Sequence, residues 1–152
     1  MKKFRFRMVT LEKIRKRERD LQRRAAAMVL KQIQRVTEEL QFLLGKIREE
    51  VHRIQLLAGD GKFEEQILEL SYGYREGLHR KIEKKKEELL KLKKRLKEEM
   101  QKLEEQEKKV QALEKLKERE LEKYREQEKR GEAYEMDEVS HRSRFYNDST
   151  GV

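Results

Sequence analysis

Apolar residues recur at steps of three and four along most of this chain, and the pattern stops only once. The first series is Leu11, Ile14, Leu21, Ala25, Val29, Ile33, Val36, Leu40, Leu43, Ile47, Val51 and Ile54. The second is Phe63, Ile67, Leu70, Tyr74, Leu78, Ile82, Leu89, Leu92, Leu96, Leu103, Val110, Leu113, Leu116, Leu121 and Tyr124. Such spacing lays a stripe down one face of a helix, with local stutters. Between the two series stands Ala58-Gly59-Asp60-Gly61. Glycine reaches positive φ without steric penalty, and aspartate accepts backbone hydrogen bonds in turns. The chain has no proline, so no other residue breaks a helix as firmly.

Composition rules out an ordinary globule. Of 152 residues, 47% are charged, 35% hydrophobic and 7% aromatic, too little apolar matter to wrap a compact core. Two readings survive: disorder, or long helices that share a narrow seam and need much less apolar matter. The richness in Glu, Lys, Leu, Arg and Gln favours helices. With no cysteine, disulfide and thiolate chemistry are excluded. No apolar run approaches the ~20 residues that span a bilayer. The start, MKKFRFRM, is basic but lacks the apolar stretch of a signal peptide. A cytoplasmic protein is expected. The net charge of +9 suits nucleic acid, an anionic surface or an acidic protein partner, and does not choose among them.

Two amphipathic stripes joined by a tight turn predict an all-α fold, an antiparallel coiled-coil hairpin. The first helix is expected over about 8–57, the turn over 58–62 and the second helix over about 63–138. Residues 139–152 carry no stripe and are expected to form a flexible tail. The helices would run ~75 Å and ~114 Å at ~1.5 Å per residue. Residue i should lie opposite about 120 − i, which puts Leu11 near Lys109 and Val110. Residues 1–24 hold eleven basic and three acidic side chains, against eight acidic and six basic in 98–120. Pairs four apart, such as Glu87 with Lys91, Glu98 with Lys102, Glu104 with Lys108 and Glu105 with Lys109, add helix support.

Polar residues interrupt the stripe at Glu18, Lys85 and Gln106, where they serve register or are simply tolerated. Gly73 and Gly77 in SYGYREGLH each cost ~1 kcal/mol relative to alanine inside a helix. They read either as a loosened turn or as a point of close approach for a partner. Tyr72, Tyr74 and Leu78 beside them favour a docking patch as much as a structural role.

Chemistry is sparse. His52, His79 and His141 lack metal-ligand spacing. Gly59-Asp60-Gly61 lacks the further glycines, the Lys-Ser/Thr pair and the preceding strand of a phosphate loop. A two-helix hairpin offers no desolvated pocket that would perturb a glutamate. No enzyme, cofactor or metal is expected. A basic stretch covers Lys81, Lys84, Lys85, Lys86, Lys91, Lys93, Lys94, Arg95 and Lys97, with three acids between. It carries no series of stacking aromatics and no groove-reading motif, so a solvated face is expected rather than a nucleic-acid site.

Three stretches together resemble the flagellar export protein family FliJ. They are FRFRMVTLEKIRKRERD at 4–20, YREGLHRKI at 74–82, and LEKLKERELEKYREQEKRGEAYEMDEVSHR at 113–142. The resemblance covers nearly the whole chain. It implies an antiparallel coiled coil, similar to the central stalk of rotary ATPases, in the flagellar type III export apparatus. The terminus-bearing end would insert into the pore of the hexameric export ATPase. The region near the turn would meet the export-gate membrane protein, and the protein would also escort export chaperones. It would sit in the cytoplasm, peripheral to the membrane-bound apparatus, without inserting into the membrane. The gate-facing pattern carries over onto Tyr74 and Leu78, with Tyr72 beside them. Lys81 and Lys85 take the next two helical positions, where relatives hold a small residue and a histidine. For the ATPase end, Arg15, Arg17, Arg19 and Arg23 on the first helix and Arg119, Tyr124 and Arg125 on the second are the candidates. The turn residues are Gly59, Asp60 and Gly61. Two other readings stay open: a basic coiled coil that binds nucleic acid, and a generic coiled coil that dimerises with another chain.

Overall fold

The computed structural model describes residues 2–61 and 64–150 and is an all-α helical hairpin. Helix α1 covers Val9–Gly59 and α2 covers Glu65–Thr150. The first amides of α1 are engaged early, with Val9 N donating to Phe6 O at 3.3 Å and Glu12 N to Met8 O at 2.9 Å. Glu12 and Glu65 put negative charge in the first turn of each helix, where the macrodipole favours it.

The turn falls where two glycines and an aspartate predict it. Gly59 still belongs to α1, and the helix is closed just beyond it. Asp60 N donates to Leu56 O at 3.1 Å and Gly61 N to Ala58 O at 3.4 Å. Gly61 adopts φ +68°, the left-handed conformation that ends many helices and that glycine takes without strain. Lys62, the last expected turn residue, and Phe63, the first of the second stripe, lie outside the described residues, as do Gly151 and Val152 in the expected tail.

The chain divides into two compact units, Met1–Arg19 with Gln106–Val152, and Asp20–Glu105. In the second unit, Ala26, Val29 and Val36 of α1 and Leu78 and Ile82 of α2 form the buried seam, with Val36 fully inaccessible. Each buried valine, leucine or isoleucine contributes about 1.5–3 kcal/mol. Half-buried Ile33, Leu40, Leu43, Leu89, Leu92 and Leu96 continue the same spacing. Gln22 ties the helices together by donating from Nε2 to the Glu99 carbonyl at 3.0 Å and to the Glu99 carboxylate.

Nearer the turn the seam departs from the stripe that hydropathy picks out. Leu70 is 76% exposed, while Ser71 beside it is 1% exposed. Counting back from Leu78 in alternating steps of three and four reaches Arg75, Ser71 and Leu68, not Tyr74 and Leu70. A small serine lets the helices come close, whereas leucine one residue earlier is turned aside.

The first unit shows the same one-residue offset. Leu11 and Ile14 are exposed, and Glu12 is the buried side chain. Its carboxylate accepts from Lys16 at 2.9 Å and from Lys117 of α2 at 3.5 Å. Leu11 therefore does not occupy the seam opposite Lys109 and Val110, as a constant register would have it. Val110 and Leu113 are buried, and the apolar cover comes from Phe6, which precedes α1.

Charge pairs run along both helices, but Lys102 pairs with Glu99 at 3.7 Å, three residues back, rather than with the expected Glu98. Helix α2 continues through 139–150 instead of stopping near 138, and every residue from Lys129 to Ser149 is exposed. No proline or glycine stands between 139 and 150, so nothing in the local backbone forces an end.

Candidate partner-binding surfaces

The residues singled out near the turn do not share one face. Leu78 and Lys85 belong to the seam of Asp20–Glu105, with Leu78 only 6% exposed. Tyr74 and Lys81 each stand one residue ahead of a seam position, on one flank, and both are exposed. Tyr72 stands one residue past Ser71, on the opposite flank, and is also exposed. Lys85 reaches across to Glu39 of α1 and along its own helix to Glu88 at 3.5 Å. The hydrogen bond to Glu39 lifts the Lys85 ammonium above its ordinary range, against partial desolvation. The same contact holds the Glu39 carboxyl below its ordinary value.

A groove of about 670 Å³ opens on the Lys81 flank. Phe42 and Leu43 contribute its apolar part, and Lys81, Lys84, Lys85, Glu38, Glu39 and Glu88 surround them. Phe42 is a candidate that the stripe does not reveal. It is 65% exposed, and Lys46 Nζ lies 5.3 Å from its ring centre. Its signal in the sequence is a second large apolar residue directly ahead of a seam leucine, Leu43.

Gly73 and Gly77 are helical, and a Cβ added at either would meet nothing within 4 Å. Among the described residues, no contact requires glycine there. At the same end, Glu50 is bound by Arg53 at 2.7 and 3.2 Å. The hydrogen bond from Arg53 lowers the Glu50 carboxyl despite desolvation, with the charge of Arg75 assisting.

The terminus-bearing candidates fall mostly in Met1–Arg19 with Gln106–Val152. Arg15 pairs with Glu18 at 3.1 Å, Arg19 is half-buried, and Arg17, Arg119 and Arg125 are exposed. Arg23 belongs to Asp20–Glu105, where it lies 3.9 Å from Asp20. Tyr124 is engaged by the amino-terminal arm. Its ring lies 5.6 Å from that of Phe4 at 51°. Its hydroxyl is placed to donate either to Lys2 O or to Glu128 at 3.0 Å, one hydrogen serving one acceptor at a time. The neighbouring Glu128 carboxylate raises the phenol above its ordinary range. Phe6, 5% exposed, has Lys117 Nζ 6.0 Å from its ring centre. Phe4 and Phe6 are thus structural staples of this unit, a role their spacing in the sequence does not disclose.

Of the expected polar interruptions, Gln106 is half-buried, with no hydrogen-bond partner for its Oε1 among the described residues. Glu18 is half-buried beside Arg15. Among the described residues, no group of three or more His, Cys, Asp or Glu could hold a metal ion. No described helix is long and apolar enough to cross a membrane.

A family model described as "Flagellar FliJ protein" matches residues 4–148. Neither the curated proteins nor the solved structures gave a match.

Proposed function

The chain belongs to the flagellar FliJ family, and on that premise we propose that it works as a non-catalytic coupling protein of flagellar type III export. The paired unit of Met1–Arg19 and Gln106–Val152 enters the pore of the hexameric export ATPase. The region near the turn contacts the export-gate membrane protein from the cytoplasm. The same protein escorts export chaperones between them.

The observation that carries the first part is the construction of the paired unit. Its interior is fastened by Phe6, Val110 and Leu113 and by the Glu12–Lys117 contact, so it keeps its form without a bound partner. Its exterior is polar, with Arg17, Arg119 and Arg125 exposed on both helices. A ring pore needs such an insert: held together from within, and polar outside, so that no one subunit grips it. Long arginine side chains adapt to successive carboxylates at little loss of rotamer freedom per bond. For the gate, Tyr74 and Lys81 with Phe42 supply the exposed aromatic and cationic groups of one flank.

The test is addition of the purified protein to the matching export ATPase. Hydrolysis and ring assembly should rise, and Arg119→Glu with Arg125→Glu should reduce the effect while the helical spectrum stays unchanged. Absence of stimulation by the natural chain would remove the ATPase part of the reading. For the gate, Tyr74→Ala and Lys81→Glu should weaken capture by its cytoplasmic domain.

A further inference from the structure

Leu21 and Met28 are one heptad apart on α1, both within Asp20–Glu105, and are 57% and 64% exposed. Each stands one residue ahead of a seam position. Gln22 bonds to Glu99, and Val29 is 3% exposed. One residue earlier on a helix means a turn of roughly 100°, so these side chains line a flank of the seam instead of its floor. In an antiparallel pair, residues ahead of seam positions on the two helices fall on the same flank. Across from Met28 this brings Lys91, ahead of Leu92. The next positions along are Arg95, ahead of Leu96, and Glu98, ahead of Glu99. On the outer edge, one turn on from Leu21 and Met28, are Arg24 and Lys31.

Arg24, Lys31, Lys91 and Arg95 are exposed, and among the described residues none has an acidic partner. Some other cations of this unit are paired along the helix. Arg35 pairs with Glu39, Lys46 with Glu49, Arg80 with Glu76 and Lys86 with Glu83. Unpaired cations thus border a strip where Leu21 and Met28 also lack cover, with Glu98 an opposing charge among them.

We propose that this flank docks a third helix, an acidic amphipathic one from another protein, with an apolar stripe at heptad spacing and Asp or Glu along both edges. The spacing of Leu21 and Met28 matches one repeat of such a stripe. The cations on both sides match its acidic edges, and steer association as well. Nucleic acid would use the cations and leave the apolar strip uncovered. The inference stands apart from the ATPase and gate contacts proposed above.

The experiment uses the full chain and a labelled synthetic helix of three heptads with leucines on one face and glutamates on its flanks. Fluorescence anisotropy should show saturable binding that weakens with salt. Leu21→Gln with Met28→Gln should lower affinity about tenfold or more. Arg24→Glu with Lys91→Glu should do the same. Leu90→Gln, an exposed leucine one residue past a seam position, should change nothing. All variants change exposed residues, and circular dichroism checks that each is folded. Equal binding of a scrambled peptide of the same composition would overturn the proposal, as would indifference to the Leu21 and Met28 changes. It is also overturned if the strip serves single-stranded RNA, anionic vesicles or a second copy of this chain, shown by binding or self-association that those two changes abolish.

Discussion

Lys85 of α2 meets Glu39 of α1 across the seam, in a position flanked along its own helix by the buried Ile82 and the half-buried Leu89. A lysine there snorkels, laying its methylenes in the seam and carrying its charge to the rim. The pair is open to solvent, so its own contribution to stability is small. Leucine at this position would bury the same stem without a charge to place. Lys85→Leu should therefore raise the thermal midpoint followed by circular dichroism, while Glu39→Gln should move it little. If the gate contact uses Lys85, the same variant should lose gate binding as it gains stability. A fall in the midpoint would mean that the ion pair, not the packing, holds this layer.

Glu12 makes a pH prediction. Its carboxyl is buried, held below its ordinary value first by the hydrogen bond from Lys16, with burial opposing and Lys117 assisting. A carboxyl whose folded value is depressed binds protons more readily in the unfolded chain. Its stabilising effect is present above the ordinary carboxylate value of roughly 4.3 and is lost as pH falls through the lower folded value. Thermal melts at neutral pH and near pH 3 should differ less for Glu12→Gln than for the natural chain. Equal differences would mean that Glu12 does not carry the acid sensitivity of this unit.

The glycines separate into two kinds. Gly61, at φ +68°, should be destabilised by alanine by about 1–2 kcal/mol, with asparagine milder. Gly73 and Gly77 lie inside α2, with open space where a Cβ would stand. Alanine at each should stabilise by about 0.5–1 kcal/mol through helix propensity. Urea titration reads all three. Should the Gly73 and Gly77 variants be more stable yet bind the gate domain less well, those glycines serve a partner's approach. Should binding be unchanged, they do no more than loosen a turn of helix.

The hairpin, its two helices and the place of its turn were legible because each rests on local signals: alternating steps of three and four, no proline, and Gly-Asp-Gly at one point. The seam was legible in the middle, where Val29, Val36 and Ile82 are both apolar and in phase. It was misread at both ends, where hydropathy and phase disagree. Leu11, Ile14, Leu70 and Tyr74 are apolar but one residue out of phase, while Glu12, Ser71 and Arg75 are in phase but polar. Phase wins because each helix is continuous. Its seam direction is set by the buried middle, and an end residue cannot rotate into place alone. Phe6 could not be assigned, since it precedes α1 and its burial depends on an arm folding back. Phe42 escaped because one exposed aromatic has no periodicity.

That arm yields a further prediction. Phe6 is 5% exposed with Lys117 against its ring, and Phe4 leans on Tyr124. Phe6→Ala should destabilise the unit by about 3 kcal/mol, the lower end for a buried phenylalanine, because a two-helix seam closes over part of the cavity. Tyr124→Phe keeps the ring contact and removes the donor to Lys2 O, so its effect should be smaller. Hydrogen exchange should then rise at Val110 and Leu113 in Phe6→Ala and much less in Tyr124→Phe. Similar rises in both would assign the fastening of the arm to the hydroxyl, not to the rings.

The last stretch of α2 tests how far a helix persists without burial. Every residue from Lys129 to Ser149 is exposed, including Tyr134, Met136, Val139, Phe145 and Tyr146. Backbone hydrogen bonds alone leave a short helix marginal in water, and Ser140, Ser143, Asn147 and Asp148 are poor helix formers. Residues 139–150 should therefore open readily, as expected of a flexible tail, although helix is their ordered form. Amides there should exchange in the earliest time points of a deuterium experiment, with protection rising towards Tyr124 and highest at Val110 and Leu113. Bound ATPase should slow exchange in this stretch if the exposed apolar residues take part in insertion. Protection of 139–150 equal to that of Val110 in the free protein would refute the tail, because such protection needs a packed surface that these exposed side chains do not have.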